Sequence, residues 1–363
     1  MRAELGHFMR FKLVDNAQTN NFDFLRLLFA VFVVFSHSYA LLLQPEPGAK
    51  FTGGVLSSHG VRGFFFISGL LIASSWKRDP RVLIFLWKRA LRIYPGLIVA
   101  ILFSALLLGP LVTTLSTADY FRHDGVLDYI KHNIGLCYIR YNLPGVFEAN
   151  PHKYAVNGSI WTLPYELLMY FVVLILGVTR LLRTVRPAIF TLIFLILFEL
   201  LASERSFFKN TVFLGIMVSQ LVPLSIVFVL GVCSSFIFRR IPLSSAMVII
   251  IPIISMFMHV PSLVQYFLLS YWILCAGCGL SWRPLGIAAK ADISYGLYIY
   301  SFPVQQTLIY GLNSEIAPWQ LFCLSMLFSV IFAILSWRYV EKPVLTLKRG
   351  MRASGAMMPE ATS

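Results

Sequence analysis

Charge is scarce in this chain. Asp, Glu, Lys and Arg make up only 13% of its 363 residues, against about 25% in ordinary soluble domains. With 58% hydrophobic residues, that scarcity excludes a soluble globular fold and implies an all-α integral membrane protein. Long polar stretches are also lacking. The largest, Ser116–Ser159, reads as a loop rather than a second domain. Acidic residues are outnumbered by basic ones, 16 to 30, for a net charge of +14. In a soluble protein that balance would suggest nucleic acid. Here the positive residues sit mostly in short loops between apolar runs, so they bear on topology and no nucleic-acid partner is expected. Cysteine is sparse, and of the five only Cys137 lies in a long loop, which argues against a disulfide framework. Cys275 and Cys278 form a CxxC inside an apolar run, with no second pair, and read as small packing residues. No metal site is expected. A cleavable leader is not indicated either: the polar lead and Arg26 favour a retained first helix.

What remains is apolar, in blocks long enough to span. A bilayer crossing needs about 20 apolar residues. Ten stretches are expected to cross: 22–43, 60–76, 95–115, 162–179, 187–202, 213–238, 244–260, 262–280, 292–312 and 318–338. Pro261 splits the seventh from the eighth, and Pro223 is a possible kink in the sixth. About ten transmembrane helices put both termini on one side, the side that then carries 21 of the 30 Lys and Arg residues. The positive-inside rule makes it cytoplasmic. The expected organisation is a cytoplasmic lead (1–21), a membrane domain (22–343) and a basic, disordered tail (344–363).

Ionisable residues inside a bilayer are costly and mark sites. Arg26 and His37 both fall in the first span, eleven residues apart. At 100° per residue they return to within about 20° of one face, separated by roughly 16 Å of helical rise. An imidazole near its ordinary pKa can take a proton at neutral pH, so His37 is a candidate base. Glu166 opens the fourth span in NGSIWTLPYELLMY, where the helix dipole alone favours a carboxylate. Its functional alternative is to orient His37 or hold a sugar hydroxyl, with Trp161 offering a stacking face. The segment Trp76–Tyr94 interleaves six positive charges with apolar residues and is expected to form a helix lying on the inner surface. Lys88, Arg89 and Arg92 on it suit either anionic lipid or a phosphorylated substrate. In GVRGFFFISGLL (60–71), Gly63 and Gly69 permit close backbone approach beside the polar Ser68. That suits packing or the passage of a thin substrate arm.

Taken together, these segments resemble the membrane-bound acyltransferase family 3, whose members acylate sugar hydroxyls on bacterial surface glycans. The likeness rests on six motifs in order: Arg26 and His37 after FDFLR, the FFFISG core of the second helix, Arg89-x-x-Arg92-Ile-x-Pro95, Trp161-Thr-Leu-x-x-Glu166, ISYGLYIYSFPV (293–304) and YVEKP (339–343). Ser301 stands where members often carry a histidine, so a second-histidine role does not transfer. The single-module form, without a soluble esterase-like domain, is implied.

The resemblance implies acetyl-CoA or another short acyl-CoA as co-substrate, with no bound cofactor. Its phosphates would meet Arg89, Arg92 and Lys88, and its arm would pass Arg26 and Ser68. His37 and Glu166 are the expected catalytic pair and Trp161 the acceptor contact. The acceptor would be a glycan or lipid-linked saccharide, in the multi-pass setting of a bacterial inner (cytoplasmic) membrane. His37 could act as base for direct transfer or be acylated first. A transporter or flippase for a lipid-linked saccharide is the alternative, though such folds often show repeated halves and none is visible here.

Overall fold

The structure, a computed structural model, describes residues 21–48, 54–202, 208, 211–213, 215–257, 260–278 and 292–346. The expected lead and tail therefore lie almost wholly outside the described residues. Each of the ten apolar stretches contains a helix: α1 Phe22–Ala40, α2 Leu56–Arg78, α3 Val82–Leu102, α4 Leu163–Val178, α5 Arg186–Ala202, α6 Val218–Ile237, α7 Met247–Phe257, α8 Ser262–Cys278, α9 Ser294–Gly311 and α10 Pro318–Ser336. Among the described residues, six helical segments are long and apolar enough to cross a membrane, those built on α1, α2, α3, α4, α6 and α10. α7 and α8 are shorter apolar helices. The chain is a multi-pass membrane protein.

Three boundaries differ from expectation. The basic run does not form a separate surface helix. It is the first part of α3, which runs through Pro95 and continues as a π-helical stretch, Phe103–Leu108, to Val112. A π-bulge adds a residue to a turn without ending the helix, and apolar side chains follow the basic ones without a turn signal. The sixth apolar stretch starts late: two short antiparallel strands pair, β1 Val212–Phe213 against β2 Ile216–Met217, and α6 begins at Val218. Gly215 supplies the positive φ that this tight reversal needs. The long loop is not featureless. Ser116 caps a short helix, Thr117–Arg122, and a second follows at Asp124–Gly135.

Small residues set the packing. A Cβ on Gly69 would collide with the Phe228 carbonyl, and one on Gly231 with the Phe66 carbonyl, so α2 and α6 approach through reciprocal glycines. Close backbone approach replaces the hydrophobic drive that lipid cannot supply. Gly63 likewise abuts the Phe29 ring on α1, so both glycines of the second-helix motif serve packing. α9 is polar yet buried: Ser294, Ser301, Gln305 and Gln306 are all enclosed. Its neighbours are protein rather than lipid. Gln305 donates to the Val34 carbonyl and to Ser38 on α1, at 2.9 and 2.7 Å. α5 is the opposite case, with Phe190, Phe194, Leu197 and Leu200 exposed, as a lipid-facing helix requires.

The long loop closes over one end of α9. Asn157 donates to the Ile299 carbonyl at 2.9 Å, Asn150 to Gln306, and Gln306 in turn to the carbonyls of His152 and Ala155. Asn157 also accepts from Ser159 N–H and so caps the 3₁₀ turn Gly158–Thr162 that leads into α4. Trp161 and Glu166 take their positions from that anchored turn, and Pro164 sits early in α4, where its missing N–H is tolerated.

Candidate active site

α1 carries Arg26 and His37 into two cavities stacked along the helix. The first, of about 380 Å³, lies toward the basic end and is walled by α1, α2, α3, α4 and α9. The second, of about 220 Å³, contains His37. Val61 and Tyr298 line both, so the two share a wall. The Tyr298 hydroxyl lies 2.9 Å from Thr162 Oγ1 at that boundary.

Arg26, Ser68, Lys88, Arg89, Arg92 and Glu166 all line the first cavity. Every residue expected to hold the donor is therefore brought together, from three helices, with Glu166 joining them from a fourth. Most of the charge is neutralised internally. Arg92 pairs with Asp292 at 2.8 Å, Arg26 with Asp23 at 3.3 Å and with Asp292 at 3.9 Å, and Lys88 with Asp79 at 2.8 Å. Hydrogen bonds from Arg81 and then Lys88 hold the Asp79 carboxyl below the usual carboxylate range. Arg89 is the exception. Its guanidinium stacks 5.7 Å from the rings of Phe85 and Tyr170, and its buried Nε has no hydrogen-bond partner. Among the described residues no carboxylate forms an ion pair with it, although Glu166 attracts it through space, and a guanidinium so placed suits an anionic ligand.

Glu166 belongs to this cavity and not to the one with His37. Its Oε1 accepts from Ser68 at 2.8 Å and from the Tyr170 hydroxyl. A role in orienting the imidazole has no support in these contacts, because one face of α4 turns toward α2 and α3.

His37 and Trp161 share the second cavity with Ser57, Ser58, Arg62, Ser219 and Gln220. The imidazole meets Phe302 edge-on at 5.4 Å, and its buried Nδ1 has no hydrogen-bond partner among the described residues. Phe302 separates it from His152 in the loop, whose pKa is lowered by burial. Trp161 packs edge-on against Tyr165, which accepts a hydrogen bond from the Met217 N–H at 2.9 Å and ties the α4 start to the hairpin. The cavity is thus a hydroxyl- and amide-bearing chamber with one flat aromatic face and one titratable ring.

Sequence reading missed Asp292, Tyr170 and Arg62. Asp292 carried a signal: an acid beside the ISYGLYIY segment on a side of the chain otherwise dominated by arginine and lysine. Tyr170 stands one helical turn after Glu166, which is the spacing for a side-chain contact.

Comparison with known proteins gives one family. The acyltransferase domain matches residues 19–338. An O-acetyl transferase of Shigella phage Sf6 is 31% identical over 91% of this chain and 97% of its own length. Nodulation protein 10 of Rhizobium leguminosarum bv. viciae is 26% identical over 93% of this chain and 96% of its own. No solved structure matches significantly.

Proposed function

The chain belongs to the acyltransferase family whose domain covers residues 19–338, and from that premise we propose that it moves a short acyl group, acetyl, from acetyl-CoA to a hydroxyl of a surface or lipid-linked glycan. Family membership favours an enzyme over a saccharide carrier. The observation that carries the rest is the pair of adjoining cavities, one with the under-partnered Arg89 and the other with the under-partnered His37.

In this reading the nucleotide phosphates of the donor enter the basic cavity from the cytoplasm. Arg89 and Arg92 bind them, with Lys88 released from Asp79 to join, since guanidinium and ammonium groups bind phosphate through charge-assisted hydrogen bonds. The thin arm runs past Arg26 and Ser68 toward Tyr298. Glu166 fixes that wall through Ser68 and Tyr170. The acceptor sugar stacks on Trp161 in the second cavity. His37 takes the proton of its hydroxyl as the oxygen attacks the thioester carbonyl. The carbon–sulfur bond breaks, and the thiolate recovers the proton from the imidazolium. Direct transfer suits two cavities that meet at a wall, because both reactants can be held at once. The setting is the bacterial inner membrane, with the basic end inward.

The test is transfer of label from radiolabelled acetyl-CoA to glycan by the purified chain in nanodiscs, followed by mass spectrometry of cell-surface glycans with and without it. Label in the glycan and a mass gain of one acetyl group are expected. Glycan translocated without label would overturn the reading.

A further inference from the structure

We propose that Arg62 makes the histidine cavity a subsite for an anionic saccharide, gripping a carboxylate or phosphate borne by the acceptor sugar. The inference rests on the acyl-transfer reading above and narrows its acceptor class.

Arg62 lies on α2 and lines the cavity with His37 and Trp161. It is half-buried, and its guanidinium rests on the Tyr266 ring, 4.8 Å from the centroid. Among the described residues no carboxylate pairs with it. Glu199 on α5 attracts it through space, without an ion pair. Glu46 is held by Ser36 and Ser57 and does not line the cavity. The contrast is with Arg26, Lys88 and Arg92 in the neighbouring cavity, each of which has a carboxylate partner. A guanidinium withdrawn from water without a counter-ion is costly and is kept where something supplies the missing charge.

The rest of the chamber says what kind of molecule carries that charge. Ser58, Ser219 and Gln220 offer hydroxyl and amide groups in the cavity lining, and Trp161 offers a flat face. Hydroxyl partners plus an aromatic platform suit a sugar ring. A planar fork matches a carboxylate or phosphate on that ring, through paired N–H donors.

The experiment uses the full chain in nanodiscs with radiolabelled acetyl-CoA and three acceptors: para-nitrophenyl glucuronide, the matching glucoside, and that glucoside 6-phosphate. The wild type is expected to acylate at least one anionic acceptor with kcat/KM about tenfold or more above the neutral one. Preference for the glucuronide names a carboxylate, and preference for the phosphate names a phosphorylated sugar. In Arg62→Gln the anionic-to-neutral ratio is expected to fall toward one, while Arg62→Lys keeps part of it. If Arg62→Gln does not insert, a reduced ratio in Arg62→Lys carries the same weight. Equal use of all three acceptors by the wild type, or a ratio unmoved by both variants, overturns the assignment of Arg62. No transfer to any acceptor strikes instead at the acyl-transfer reading on which it depends.

Discussion

The two cavities along α1 are built on opposite electrostatic plans. Toward the basic end, charges are dense and mostly matched: Arg92 with Asp292, Lys88 with Asp79, and Glu166 tied to Ser68 and Tyr170. Beyond Tyr298, ionisable groups are few and, among the described residues, form no ion pair: His37 Nδ1 has no hydrogen-bond partner, and Arg62 rests on an aromatic face with Glu199 attracting it only through space. Paired charges hold five helices in register around a space. Unpaired ones are a standing cost, and a cost of that kind is consistent with chemistry or recognition. Arg89 crosses the divide: inside the matched cavity its Nε has no hydrogen-bond partner among the described residues, and Glu166 attracts it without an ion pair.

The largest effect should come from the unmatched side. His37→Ala is expected to lower label transfer by about 10²–10⁴-fold, the usual worth of a general base, in membranes where immunoblotting shows wild-type insertion. Full activity in that variant would remove the contrast, since His37 would then be an ordinary buried ring. Next comes the double variant Arg89→Ala with Arg92→Ala. Its KM for acetyl-CoA should rise roughly tenfold or more, in keeping with lost charge-assisted contacts, while the KM for acceptor moves much less. A change confined to the acceptor would reverse the assignment of the two cavities.

A third variant probes pairing itself. Asp292→Ala strands Arg92, and thermal unfolding in detergent should show a loss of stability at or below about 3–5 kcal/mol, the range for breaking a fully buried pair. Removing Arg92 as well should restore part of it, because the stranded charge goes too. No recovery would mean that Asp292 matters for its helix start and not for its partner. The smallest effect concerns pH. The folded-state pKa of Asp79 lies below its ordinary value, chiefly through Arg81 and Lys88. The stability it adds is therefore complete above about pH 4–5 and is lost as pH falls through the lowered value. The difference in Tm between wild type and Asp79→Asn should be flat from pH 5 to 8 and shrink below pH 4. A difference that changes around neutrality would point to another titrating group.

Particular residues show where sequence reading reached and where it stopped. The eleven-position offset from Arg26 to His37 placed them on one face by helical geometry alone, and both do open toward cavities along that face. Local motifs also marked Arg89, Arg92, Ser68 and Glu166, which meet in one chamber. Pro261 marked a real break, with α7 ending at Phe257 and α8 starting at Ser262. The supposed surface helix failed because amphipathic charge at a helix start looks the same whether the helix then stops or continues inward. For Glu166 the sequence leaves open orienting His37, holding a sugar hydroxyl or simply matching the helix dipole. Its true partners lie on α2 and one turn along α4.

Apolar length, charge asymmetry and helical period settled from sequence alone that the chain is a bundle of membrane helices with an arginine and a histidine aligned on the first. These are local properties, written in composition and spacing. Only the tertiary structure decided which charges are neutralised and which are left bare, because pairing depends on helices far apart in the chain. The reciprocal glycines of α2 and α6, the anchored loop over α9 and the placement of Asp292 beside Arg92 are long-range contacts, and no spacing rule along one strand of sequence can supply them.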